Sequence, residues 1–185
     1  MGKKIVVLNG SPRRKGNTSE LVRAFTEGAE ASGNTVTEFF LDAMGIHGCK
    51  GCFGGHSAQE HPCVQRDGMD EIYPAVRECD VVVLASPLYY WNMSGQIRTA
   101  VDRLFALEEG DGNLLRGHGR SCALLMAAEG HGFEDVVIYF DNLMVMSPTR
   151  APVSSMTQSP TSTPWAVPLF SVREEVQLVT SCSVM

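Results

Sequence analysis

Ile5-Val6-Val7-Leu8-Asn9-Gly10-Ser11-Pro12-Arg13-Arg14-Lys15-Gly16-Asn17-Thr18-Ser19-Glu20-Leu21-Val22 is the stretch that decides the fold. Its first four residues are an unbroken apolar run of strand type, and helical spacing begins at Glu20-Leu21-Val22. Between them lies a loop of hydroxyls, cations and glycines. The helix start offers unpaired N–H groups and a positive dipole end. Ser11, Thr18 and Ser19 add neutral donors, and Arg13 or Arg14 adds charge, so the arrangement suits phosphate. It is not a P-loop, because five residues separate Gly10 from Gly16 and Asn17 stands where the lysine would be. The dinucleotide pattern G-x-G-x-x-G is also absent. What remains suits a terminal monophosphate.

Outward from this stretch, apolar runs alternate with helical periodicity. Strands are expected at about 4–9, 34–40, 80–86 and 121–127, and helices at about 18–32, 68–78, 94–107 and 133–146. Val81-Val82-Val83-Leu84-Ala85 and Cys122-Ala123-Leu124-Leu125-Met126 are continuous rather than alternating. Such strands are buried on both faces, which requires helices on both sides of a parallel sheet. The fold class is therefore α/β, doubly wound, with ligands beyond the carboxyl ends of the strands.

The chain has 185 residues, enough for one domain with a full core. Its net charge is −6 and its basic residues cluster only at 13–15, which excludes nucleic acid as the expected partner. No apolar run approaches the roughly 20 residues of a membrane span, and no signal peptide precedes the first strand. A cytoplasmic location is expected. Of six cysteines, Cys49, Cys52 and Cys63 are close together while Cys79, Cys122 and Cys182 are scattered, a pattern of metal or redox chemistry rather than a disulfide framework.

Three loops follow strands. In Ser86-Pro87-Leu88-Tyr89-Tyr90-Trp91-Asn92-Met93-Ser94, Pro87 is expected to stop the strand and Ser94 to cap the next helix. Consecutive aromatics in a loop call for something planar to pack on, a flavin-like ring or a subunit contact. Ala127-Ala128-Glu129-Gly130-His131-Gly132 permits close backbone approach, with Glu129 or His131 at a cofactor edge or simply in solvent. The segment 43–66 is a long excursion expected over the carboxyl edge of the sheet. Its Cys49, Cys52 and Cys63 are candidates for a metal, a redox pair or a metal-free loop, with His47, His56 and His61 nearby. Asp102-Arg103 reads as an ion pair or cap, and Asp67 to Asp70 as an acidic first helical turn.

In this order Gly10-Ser11-Pro12-Arg13, Gly16-Asn17-Thr18, Cys49-x-x-Cys52, Cys63, Asp80, Ser86-Pro87-Leu88-Tyr89, Ser94-Gly95-Gln96 and Asp102-Arg103 resemble the flavodoxin-like NADPH-dependent FMN reductases and their iron–sulfur flavoprotein branch. The resemblance covers about residues 3–146. It implies a sheet of order 2-1-3-4-5 holding FMN, in a homodimer or homotetramer. By position, Ser11, Arg13, Asn17 and Thr18 would hold the phosphate, assisted by Ser19 or Lys15. Pro87, Leu88, Tyr89, Tyr90 and Asn92 would line the isoalloxazine. NADPH or NADH would donate hydride, and a quinone, flavin or other small acceptor would take the electrons. The cofactor carries that chemistry, so no catalytic residue is named. An electron-transfer protein without nicotinamide activity is the alternative, and a defective copy a third reading. The branch's compact C-x-x-C-x-x-C is broken here by Gly55, and Cys63 follows at a distance, so no iron–sulfur cluster is expected.

Residues 1–147 are expected to form the FMN-binding domain and residues 148–185 a Ser/Thr/Pro-rich tail lacking the family's ending. Codons made from the third base of each codon and the first two of the next can encode Asp-Ile-Asp-Thr-Val-Gly-Arg-Pro-Ala-Leu within Ser155–Arg173. That string resembles the missing ending. The tail is therefore expected to be out of frame, with the fifth strand missing or replaced.

Overall fold

The computed structural model describes residues 2–55, 61–107, 120–129, 132–145 and 177–180. The elements are β1 (Lys4–Asn9), α1 (Asn17–Ala31), β2 (Thr35–Phe40), α2 (Met69–Glu78), β3 (Val81–Tyr89), β4 (Asn92–Met93), α3 (Gly95–Arg103), β5 (Ser121–Ala127), α4 (Glu134–Val145) and β6 (Gln177–Thr180). Five strands run parallel in the order β2-β1-β3-β5-β6, and the two-residue β4 pairs antiparallel with the end of β3. With that ribbon set aside, the order is the expected 2-1-3-4-5 of a flavodoxin-like sheet. The fifth place is filled from the tail, Gln177–Thr180 beside Ala123–Met126, rather than left empty.

The apolar runs explain the layers. Alternate residues of β1, β3 and β5 serve opposite faces. Val6, Leu8, Val82, Leu84, Leu124 and Met126 join one core with Met69, Ile72, Tyr73 and Val76 of α2, Ile97 and Ala100 of α3, and Val136 and Phe140 of α4. Ile5, Val7, Val81, Val83 and Leu125 join a smaller core with Val22 of α1. Among the described residues α1 alone covers that second face, and Ala123 there is only half-buried.

Two expectations are corrected. Pro87 does not end β3, which runs on to Tyr89. On one side β1 stops at Asn9 opposite Ala85, so no ladder partner is left wanting an N–H there, while Pro87 still pairs in register with Ala127 of β5. The excursion does not lie over the carboxyl edge. Asp42 accepts from the Gln96 side chain at the start of α3 (3.0 Å), the His47 carbonyl accepts from Arg103 at its end (2.8 Å), and Phe53 packs edge-on against Phe105. The chain thus follows α3 down its length, away from the carboxyl edge.

Candidate functional site

Asn9, the last residue of β1, is fully buried and shapes the loop that follows. Its Oδ1 accepts the Ser11 N–H at 2.9 Å, and its Nδ2 donates to Glu38 Oε1 at 2.7 Å and Ser19 Oγ at 3.3 Å. The Arg13 carbonyl is a second focus, accepting from Ser11 Oγ (2.8 Å), Ser19 Oγ (2.9 Å) and the Gly16 N–H (3.3 Å). Each hydroxyl has one proton to give. In this structure Ser11 and Ser19 therefore hold the loop itself together. Gly16, the N-cap of α1, brings no side-chain cap, so the N–H groups of the first turn lie open to an anion. Asn17 is exposed there and Thr18 is buried. Arg13 and Lys15 are exposed cations, whereas the Arg14 guanidinium lies 4.4 Å over the Phe40 ring.

Gly10 ties this loop to the aromatic segment. Its N–H donates to the Ala85 carbonyl and its carbonyl accepts from Ser94 Oγ, both at 2.8 Å. A Cβ on Gly10 would lie 2.6 Å from Ser94 Oγ, so only glycine permits this approach. Ser94 caps α3 as expected, accepting from the Ile97 N–H at 3.4 Å, and its own N–H donates to Ser86 Oγ at 2.8 Å.

The aromatics form a hairpin rather than a loose loop. Tyr89 pairs with Asn92 across Tyr90 and Trp91, whose φ angles are 48° and 59°. Two successive left-handed residues are the signature of a type I′ turn, a position that Asn and Gly favour and bulky side chains do not. Tyr90 is 93% exposed and stands edge-on to Trp91, with ring centroids 5.3 Å apart. Trp91 lies over the loop after β5, where a Cβ on Gly132 would be 3.1 Å from its Cδ1. Pro87 is buried, Leu88 and Asn92 are half-buried, and Tyr89 is exposed. Glu129 is exposed, and His131 lies outside the described residues.

Sequence reasoning missed the roles of Asn9, Glu38 and Gly132. An Asn between a buried strand and a glycine was the available signal for the first. The partnership with Glu38, 29 residues away, leaves no local trace.

The cysteine excursion is held by a different cluster. Arg103 is buried and pairs with Asp67 at 2.7 Å, not with Asp102. Burial alone would raise the Asp67 carboxyl, but Arg103 and the N–H groups of His47 and Met69 outweigh it and hold it at about 2. Tyr73 donates its hydroxyl proton to the Arg103 carbonyl at 3.2 Å, and Cys63 lies beside both side chains. Cys49 and Cys52 are exposed. Among the described residues, no three His, Cys, Asp or Glu side chains converge as a metal site. The third motif position of the iron–sulfur branch is Gly55 here, and a Cβ there would lie 3.1 Å from the Pro62 carbonyl oxygen. His56 lies outside the described residues. Burial pushes the Cys79 and Cys122 thiols up to about 11 and about 12, as expected of core cysteines.

The chain is a flavodoxin-like α/β protein with an uncapped helix N-terminus at the carboxyl edge of its sheet, and the comparisons name the family. The chain belongs to the NADPH-dependent FMN reductase family, whose model matches residues 3–154. An iron-sulfur flavoprotein of Archaeoglobus fulgidus is 36% identical over 141 residues, 76% of this chain and 62% of that protein. The chain therefore spans about three-fifths of that relative's length. Among solved structures, RosB with bound 8-demethyl-8-formylriboflavin-5′-phosphate superposes with a TM-score of 0.61 at 18% identity, over 77% of this chain and 58% of RosB. The NAD(P)H:quinone oxidoreductase from Methanothermobacter marburgensis gives a TM-score of 0.53 at 18% identity, over 77% and 74% of the two chains. These two likenesses show the fold. Among the described residues no helix is long and apolar enough to cross a membrane.

Proposed function

We propose that this chain is an FMN-dependent NAD(P)H oxidoreductase that passes electrons to a quinone, a flavin or another small acceptor, as a cytoplasmic homodimer or homotetramer. The observation that carries the reading is the Ser94–Gly10 hydrogen bond, which ties the loop leading into an uncapped helix N-terminus to the segment following a turn that bears exposed aromatics. One end suits a phosphate and the other a planar ring. Asn17, Thr18 and the first-turn N–H groups would hold the phosphate, with Arg13 and Lys15 supplying charge and Ser11 and Ser19 shaping the loop. Pro87, Leu88, Tyr89, Tyr90 and Asn92 would border the ring, and Trp91 would close the hairpin onto the loop after β5. Bound FMN would supply the hydride and electron chemistry, so the protein's part is to bind and orient it. The name of the Archaeoglobus relative raises a cluster, but the break at Gly55 supports a chain that works with flavin alone. Residues 1–147 would form the flavin-binding domain and residues 148–185 an out-of-frame tail.

The test is an absorbance spectrum of the purified protein with added FMN, followed by anaerobic NADPH. Bound-flavin bands that bleach with NADPH are the expected result. Bands that bleach only with dithionite would replace the reductase by an electron carrier, and no bound flavin would sink both.

A further inference from the structure

We infer that Asn9 and Glu38 are positioning residues that give the site its selectivity for phosphorylated over unphosphorylated flavin, an inference resting on the reading of residues 10–19 as the phosphate loop. Asn9 is fully buried, and both ends of its amide are engaged. The Glu38 carboxylate can only accept, and at 2.7 Å it fixes the Asn9 NH₂ toward itself. The amide oxygen must then face Ser11, whose N–H it receives. The same NH₂ reaches Ser19 Oγ, leaving that hydroxyl to donate its proton to the Arg13 carbonyl, as Ser11 Oγ also does. One amide orientation thus sets both serines, the carbonyl they share and the path of the loop into α1. The aromatic hairpin is tied to Gly10 and Ser86 and makes no hydrogen bond with this pair. Loss of the pair should therefore disturb the phosphate end and spare the ring end.

Asn9→Asp replaces the NH₂ donor by an acceptor facing Glu38, so two carboxylates meet unless one takes a proton. The other charged groups around the pair are Arg13, Arg14 and Lys15 in the loop, with Arg14 engaged by Phe40. On α1, Glu20 and Arg23 pair with each other, and Ala85 and Ser86 of β3 carry no charge. Flavin fluorescence would give the dissociation constants of FMN and riboflavin for the wild type, Asn9→Asp, Glu38→Gln and the double variant between pH 5.5 and 8.5. At pH 8, Asn9→Asp should weaken FMN about tenfold or more, the scale of a lost hydrogen bond to a charged group, and leave riboflavin within about twofold. The loss should shrink toward pH 5.5 as the carboxyl pair takes up a proton. In the double variant the Gln amide can donate to the new carboxylate, so the pH dependence should vanish and FMN affinity return in part, the donor to Ser19 Oγ still being absent. Equal loss of FMN and riboflavin, an intact FMN preference in Asn9→Asp, or no rescue in the double variant would overturn the inference alone. A wild type with no preference for FMN over riboflavin would overturn the phosphate-loop reading with it.

Discussion

At φ values of 48° and 59°, the Tyr90 and Trp91 backbones occupy a region disfavoured for large side chains. Asn and Gly at those places would relax the turn and also remove two exposed rings. Stability and binding should therefore move in opposite directions. The variant Tyr90→Asn with Trp91→Gly is expected to gain about 1 kcal/mol or more in urea unfolding of the flavin-free protein. The same variant should bind FMN several-fold more weakly, the lost Tyr90 contact being worth about 0.5–1.5 kcal/mol. A variant less stable than the wild type would show that the rings hold the fold rather than serve a ligand. Trp91 gives reason to test this, since it packs on Gly132. The aromatics were legible as a run without obvious packing partners. The hairpin was not, because Pro87 reads as a strand end until the stopping point of β1 at Asn9 is known.

Among elements, the excursion and α3 are joined by the Arg103–Asp67 pair, which contributes in a definite pH window. The Asp67 carboxyl lies at about 2 in the folded protein, below its ordinary value of 3.8. A depressed carboxylate stabilises fully above its unfolded pKa and loses that contribution as pH falls through the folded one. Roughly 2 kcal/mol should therefore disappear between about pH 4 and pH 2. Asp67→Asn should remove this component of the acid transition. It should also cost about 3–5 kcal/mol at pH 7, because Arg103 stays buried without its counter-charge. Limited proteolysis should show the excursion opening first in that variant, with cleavage near Cys49–Gly55. Unchanged proteolysis would mean that the pair does not hold the excursion. The sequence marked Asp102-Arg103 as structural but not its partner, 36 residues away. Strand and helix periods were readable because they are local. Where the excursion runs depends on which helix offers a buried cation, and spacing along the chain does not encode that.

At the scale of the molecule, the two faces of the sheet are unequally covered among the described residues. α2, α3 and α4 cover one, while among the described residues α1 alone covers the other and leaves Ala123 half-buried. The family match ends at residue 154, inside the Ser/Thr/Pro-rich stretch, which supports the proposal that the tail is translated out of frame. Against it stands β6, which places Gln177–Thr180 beside β5 in the fifth position. Any four residues of extended type can satisfy a parallel ladder there, since the pairing is between backbones. Its presence therefore does not vouch for the reading frame. The gene decides: its shifted frame across Ser155–Arg173 is expected to encode a string like Asp-Ile-Asp-Thr-Val-Gly-Arg-Pro-Ala-Leu, and a DNA sequence that cannot do so ends the proposal. If it does, a chain with the frame restored should bury the α1 face more fully. Its melting temperature should then exceed that of the present chain by about 2–4 °C for every kcal/mol gained. Equal melting temperatures would mean that the present tail already covers the sheet as well as the family ending does.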